Sequence, residues 1–266
     1  MSTRVAGIRR WLGSSRPEQP PVVTDPGQRR ALVIEIVVVL AMTLGLSGLR
    51  SLLALLDTLL APGPLANHSV AINAPVAKSE LLDLAYQLTG VIQLLAWGAL
   101  GCYLLWRGGI SPRGLGLGRR PTGRDAGLGV ALAAVIGVPG LGWYFLALAA
   151  GLNLTVLPST LPDTWWRIPV LLTSAVANAL AEELLVVGYL ITRLRQLGSG
   201  EGATALTSAL LRGSYHLYQG FGGFLGNLVM GLIFARFWQK TTRIYPLITA
   251  HALIDTIAFT AYPLLR

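Results

Sequence analysis

The sequence predicts an all-α fold, a polytopic integral-membrane bundle of about seven to eight transmembrane helices, on three observations. Hydrophobic residues make up 53% of the 266-residue chain and charged residues only 12%, against about 25% charged in an ordinary soluble domain. Apolar runs of the roughly 17 to 25 residues needed to cross a bilayer recur along it. The basic residues gather in alternate connections between those runs.

Four runs are cleanly bounded, at 31–49, 82–106, 126–150 and 168–192. Three more, at 203–217, 221–237 and 244–262, are divided by the glycines around Gly220 and by the polar stretch 239–243. A half-span or re-entrant piece at 51–61 would supply an eighth. Net charge is +9, from 21 Lys and Arg against 12 Asp and Glu, which raises the question of a polyanionic partner. Position answers it. Arg4, Arg9, Arg10, Arg16, Arg29 and Arg30 precede the first run, Arg107, Arg113, Arg119, Arg120 and Arg124 separate the second from the third, Arg193 and Arg195 follow the fourth, and Arg236, Lys240 and Arg243 follow the sixth. The opposite connections hold little beyond Lys78 and Arg167. The positive-inside rule places the basic loops and the amino terminus in the cytoplasm. The charge is thereby accounted for by topology, and no nucleic-acid partner is expected.

Residues 1–30 hold Pro17, Pro20, Pro21, Pro26 and several arginines but no apolar core, so they read as a flexible basic cytoplasmic tail and not as a signal peptide. The Arg9-Arg10-Trp11-Leu12 stretch within it reads as a topology determinant that can rest on headgroups. The membrane domain is expected at 31–266. A lone Cys102 excludes an internal disulfide and a cysteine-based metal site. With only Lys78 and Lys240 as lysines, the arginine bias points to a GC-rich bacterial genome and hence to a bacterial plasma membrane.

The functional signal is polar. Glu182 and Glu183 stand side by side in the apolar run 168–192. A charged side chain near the bilayer centre costs on the order of 2.5 to 3.5 kcal/mol, which marks such a residue as a site candidate. The last runs add Arg212, His216, His251 and Asp255. At a rise of roughly 1.5 Å per residue, all six lie roughly 10 to 20 Å from the cytoplasmic ends of their helices, so separate helices deliver them to one layer. Taken singly, each histidine reads as interhelical glue; convergence with two carboxylates supplies the acid and imidazole that water activation needs. Asp255 follows His251 by four residues, on the same helix face, where it can fix the imidazole's orientation. Glu35, Asp83, Arg50 and Asp57 lie near span ends, where they can reach headgroups or water.

These motifs occur in order: Glu182-Glu183 followed by Gly188-Tyr189; Ser208 to Gly220, with Arg212 and His216; then Pro246, and His251 with Asp255. Together they resemble the CPBP family, the CAAX prenyl endoproteases and bacteriocin-processing proteins also called Abi, over a catalytic core at 165–262. The resemblance implies an intramembrane endopeptidase that hydrolyses a peptide bond of a membrane-associated protein or peptide. Glu182 would be the general base that activates water, His216 and His251 would orient the water and stabilise the oxyanion, Asp255 would support His251, and Glu183 would be a structural partner. Two positions depart from the family pattern: Val187 replaces an Arg, and Arg212 replaces a Phe. The changes compensate if Arg212 forms an interhelical ion pair with Glu183. Zinc held by His216, His251 and Glu182 is one reading of the chemistry, although the spacing is not HExxH; a metal-free glutamate mechanism, with no cofactor required, is the other. The bundle is expected to enclose a small polar cavity open to the cytoplasmic half. Two further functions compete: a non-catalytic membrane scaffold or immunity protein, and a proton-coupled transporter using Glu182, His216, His251 and Asp255 as a relay.

Overall fold

The computed structural model describes residues 20–260; most of the expected tail, with its Arg9-Arg10-Trp11-Leu12 stretch, and residues 261–266 lie outside them. Helix α1 (Pro26–Met42) starts where proline at the first position and an Asp25 cap predict a helix start, the Asp25 carboxylate accepting from Gln28 N at 2.7 Å. Helix α2 (Leu44–Leu60) follows after a 50° bend. Thr43 is the break, and its hydroxyl turns back to donate to Val39 O at 2.7 Å. The apolar run at 31–49 is therefore not one straight span, and the piece at 51–61 is the second half of a bent pair.

Next come α3 (Glu80–Arg107), the short α4 (Pro112–Leu115), α5 (Gly123–Ala149), α6 (Arg167–Gln196), α7 (Glu201–Ser214), α8 (Phe221–Thr241) and α9 (Tyr245–Thr260). Among the described residues, α3, α5, α6 and α8 are long and apolar enough to cross a membrane, and the bent pair α1 and α2 counts as a fifth if taken as one span. The run at 203–217 appears as a helix of 14 residues, about 21 Å long at the helical rise, against a hydrocarbon core of about 30 Å, and the run at 244–262 is described as helix from Tyr245 to Thr260. Apolar length in sequence overstates α7 because its regular helix stops at Ser214.

One element departs from an all-helical reading. Strands β1 (Ser69–Asn73) and β2 (Thr155–Ser159) pair in parallel. The start of β2 is stapled to the segment after α7: Leu154 N donates to Gln219 O at 2.9 Å and Gly223 N to Asn153 Oδ1 at 2.8 Å. Two acids near span ends also find protein partners in place of headgroups. Asp83 accepts from Val76 N at 2.7 Å, and Glu35 accepts from Tyr189 and Arg193 at 3.0 and 2.8 Å.

Helix α6 is the hub. In its most apolar stretch 61% of the residues are buried, against 6% for α5, as expected of a helix hydrophobic on every side. It packs against α3 and α9, while α7 pairs with α8 and α9 with α5. The α5–α9 contact is close because Gly129 has no side chain: a Cβ there would fall 2.5 Å from Thr249 Cβ and 3.0 Å from Pro246 O. Gly129→Val is expected to lower stability by about 1 to 3 kcal/mol through overpacking, read as a reduced thermal midpoint in detergent. An unchanged midpoint would show that α5 and α9 do not rely on that contact.

Candidate functional site

Glu182 is the last α-helical residue of α6 before a π-helical stretch, Glu183–Tyr189. Such one-turn widenings are frequent at functional sites. This one is held from outside: Leu190 N reaches back to Leu185 O, and Ser208 on α7 donates its hydroxyl to Val186 O at 2.9 Å. The widened turn changes the direction of the side chains that follow, and Val187 comes to lie fully buried.

Arg212 on α7 lies between the two acids. Its Nη2 is 2.7 Å from Glu183 Oε1 and its Nη1 3.0 Å from Glu182 Oε2. All three side chains are removed from solvent, with Arg212 and Glu183 at 0% and Glu182 at 2% exposure. Helix α8 covers the guanidinium with Phe234, whose ring centroid is 5.4 Å away. From α9, His251 Nδ1 sits 2.7 Å from Glu183 Oε1. Its other nitrogen, Nε2, faces Asp255 Oδ2 at 3.5 Å and Glu182 Oε2 at 4.0 Å. The shorter orienting contact on this imidazole thus comes from Glu183, across helices, and Asp255 stands at longer range on the other nitrogen.

His216 lies just past the end of α7, at the start of the turn 217–219. Its ring is 5.0 Å from that of Tyr215, and the one hydrogen-bond contact of that ring among the described residues is Gln219 Nε2 at 3.5 Å from Nδ1. The buried Nε2 has no protein partner there. So Glu182, Glu183, Arg212, His251 and Asp255 form one contiguous polar group, and His216 adjoins it through Tyr215.

Two members of the group escaped sequence reasoning. Tyr215 donates its hydroxyl to Glu182 Oε2 at 2.5 Å, and Asn178 donates to Asp255 Oδ2 at 2.9 Å. Both were within reach of helix spacing: Asn178 is one turn before Glu182, and Tyr215 is one turn after Arg212.

The metal reading fares poorly on geometry. Among the described residues no three of His, Cys, Asp and Glu are placed to share a metal ion. Arg212 and Tyr215 occupy the same Glu182 oxygen, and Glu183 holds His251 Nδ1. As placed, His216, His251 and Glu182 do not form a zinc site. Two cavities, of about 330 and 220 Å³, lie away from the group, around residues 102–119 and 241–243.

Removing one member of a buried ion pair strands the other, at about 3 to 5 kcal/mol. Arg212→Ala should lose stability on that scale, and combining it with Glu183→Gln should cost clearly less than the sum of the two single changes. A double variant whose loss equals that sum would show that the bridge is not shared energetically.

Residues 164–257 match the family model described as Rce1-like, type II CAAX prenyl endopeptidase Rce1-like. The matched segment contains the motif-bearing parts of α6, α7 and α9. No curated protein and no solved structure matches the chain.

Proposed function

Taking a type II CAAX prenyl endopeptidase-like segment at 164–257 as the premise, we propose that this protein of the CPBP group is an intramembrane endopeptidase acting on a membrane-associated protein or peptide. The observation that carries the reading is the convergence of Glu182, Glu183 and His251 on one guanidinium, with an unpartnered imidazole nitrogen of His216 next to Tyr215.

In the proposed reaction Glu182 takes a proton from water as the oxygen adds to the scissile carbonyl carbon. His216 Nε2 and His251 supply hydrogen bonds to the water and to the developing oxyanion. Collapse of the tetrahedral intermediate breaks the C–N bond, and the proton held by Glu182 passes to the leaving amine. Glu183 acts through His251, whose Nδ1 it contacts, and Arg212 supplies the positive charge that two adjacent buried carboxylates require. No metal is needed in this scheme. The substrate's anchor is left general: a lipidated terminus and a signal-like helix are both membrane-associated, and a prenyl group is not assumed.

The same proposal places the arginine-rich ends and the amino terminus in the cytoplasm of a bacterial plasma membrane, with α7 and α9 adding to the longer helices to give seven crossings. A non-catalytic scaffold is the second reading, favoured by one observation: Arg212 and Tyr215 both hold the same oxygen of Glu182, which suits a packing device as well as a restrained base.

The two separate by assay. Purified protein in detergent is expected to cleave members of a membrane-peptide library, with Glu182→Gln reducing the rate at least about 100-fold while the protein stays folded. His216→Ala should also lose activity, and chelator should leave the wild type unchanged. Equal cleavage by wild type and Glu182→Gln, or none by folded wild type, returns the scaffold reading.

A further inference from the structure

The cavity of about 330 Å³ lies between the segment that connects α3 to α5 and the end of α8 at Thr241. Arg113, Arg119 and Arg243 line it with Thr241 and Thr242. Asp125 anchors two of the three arginines, its Oδ1 lying 2.7 Å from Arg119 Nη2 and 3.0 Å from Arg243 Nη1. That carboxylate is itself fixed by Thr122, which donates its N–H and hydroxyl to Oδ2 at 3.0 and 2.7 Å. A guanidinium carries five N–H donors, and Asp125 engages one from each, so most remain for a ligand. The Arg113 guanidinium has no hydrogen bond or ion pair among the described residues. Three guanidinium charges against one carboxylate leave a net positive cavity. Arginines that served topology alone would need neither a cavity nor a shared buried anchor.

The backbone around it is specialised. Thr242 is the only non-glycine with positive φ among the described residues, at 48°, a conformation that costs energy for a β-branched residue. Beside it Gly116 packs so closely that a Cβ would fall 2.3 Å from Thr242 O. Residues 112–119 alternate in what they face. Arg113 and Arg119 line the basic cavity, while Pro112, Leu115 and Leu117 line the second cavity of about 220 Å³ together with Tyr103 and Trp106. Charged and apolar pockets on the two sides of one segment, at the level of the helix ends, suit an amphipathic anion.

We propose that the Arg113–Arg119–Arg243 cavity binds a phosphate-bearing anion, met in the bilayer as the headgroup of an anionic phospholipid. The site is separate from the polar group around Arg212 and does not depend on the protein being a protease. The guanidinium forks match phosphate oxygens, and the threonine hydroxyls add donors.

Full-length protein in neutral detergent, titrated with phosphatidylglycerol, phosphatidylcholine or inorganic phosphate and followed by native mass spectrometry and thermal shift, tests this. Phosphatidylglycerol is expected to bind and stabilise while phosphatidylcholine does not. Arg113→Gln, which breaks no side-chain hydrogen bond or ion pair among the described residues, should weaken binding roughly tenfold by removing charge-assisted hydrogen bonds, whereas Arg120→Gln, outside the cavity, should not. Inorganic phosphate competing at equal affinity supports the phosphate site and assigns its occupant to solution. Equal binding of the two lipids, or binding unaltered by Arg113→Gln in a folded protein, overturns the proposal.

Discussion

The interaction on which the interior depends is the sharing of Arg212 between Glu182 and Glu183. Two neighbouring carboxylates in a buried helix repel each other and have lost their water. One cation must satisfy both, or the helix carrying them does not stay in the core. The guanidinium does so because its fork presents separate N–H groups at 2.7 and 3.0 Å to acids on consecutive residues. A lysine, with a compact ammonium, would not span the pair in the same way. The requirement fixes α7 against α6 in both depth and rotation. His251 brings α9 to the same point through Glu183, and Phe234 brings α8 over the guanidinium. Four helices therefore meet at one side chain.

The π-helical turn belongs to the same constraint. With an ordinary i, i+4 partner on its own helix, Glu183 would be paired by residue 187. That position is Val187, fully buried and apolar, and the counter-charge arrives from α7 instead. Moving the cation to another helix calls for two things: room for α7 to approach, and a partner for backbone groups displaced by the widened turn. Ser208, one turn before Arg212 on α7, supplies the second through Val186 O. Ala209, next to it, packs against Gly231 of α8, where a Cβ would lie 2.8 Å from Ala209 Cα.

Much of this was legible in the sequence, and the pattern of what was not is physical. Buried acids, a cation and imidazoles in apolar runs announce themselves because the bilayer makes them costly, and Arg212 was expected to pair with Glu183 from the empty position at 187. Its simultaneous contact with Glu182 was not, since sharing depends on side-chain rotation and not on depth. Tyr215 and Asn178 were missed for a different reason: neither is charged, so neither stands out against an apolar helix until its partner is known. Helix boundaries show a third effect. Hydropathy measures apolar length, but the bend at Thr43 and the end at Ser214 are set by local backbone geometry. The short parallel strand pair has no periodic signal at five residues a strand.

The arginine-rich end and the polar interior are mechanically connected through α9. Arg243 is held to Asp125 at the start of α5 and stands two residues before α9 begins at Tyr245. From there His251 lies six residues up the helix, about 9 Å at the helical rise. The close approach at Gly129, beneath Thr249, leaves α9 little freedom to slide along α5. A shift of one turn at the Arg243 anchor would carry His251 about 5 Å along the axis, more than enough to break its 2.7 Å contact with Glu183. The Arg243–Asp125 pair at one end of α9 thus bears on the height at which the buried imidazole of His251 meets the two acids.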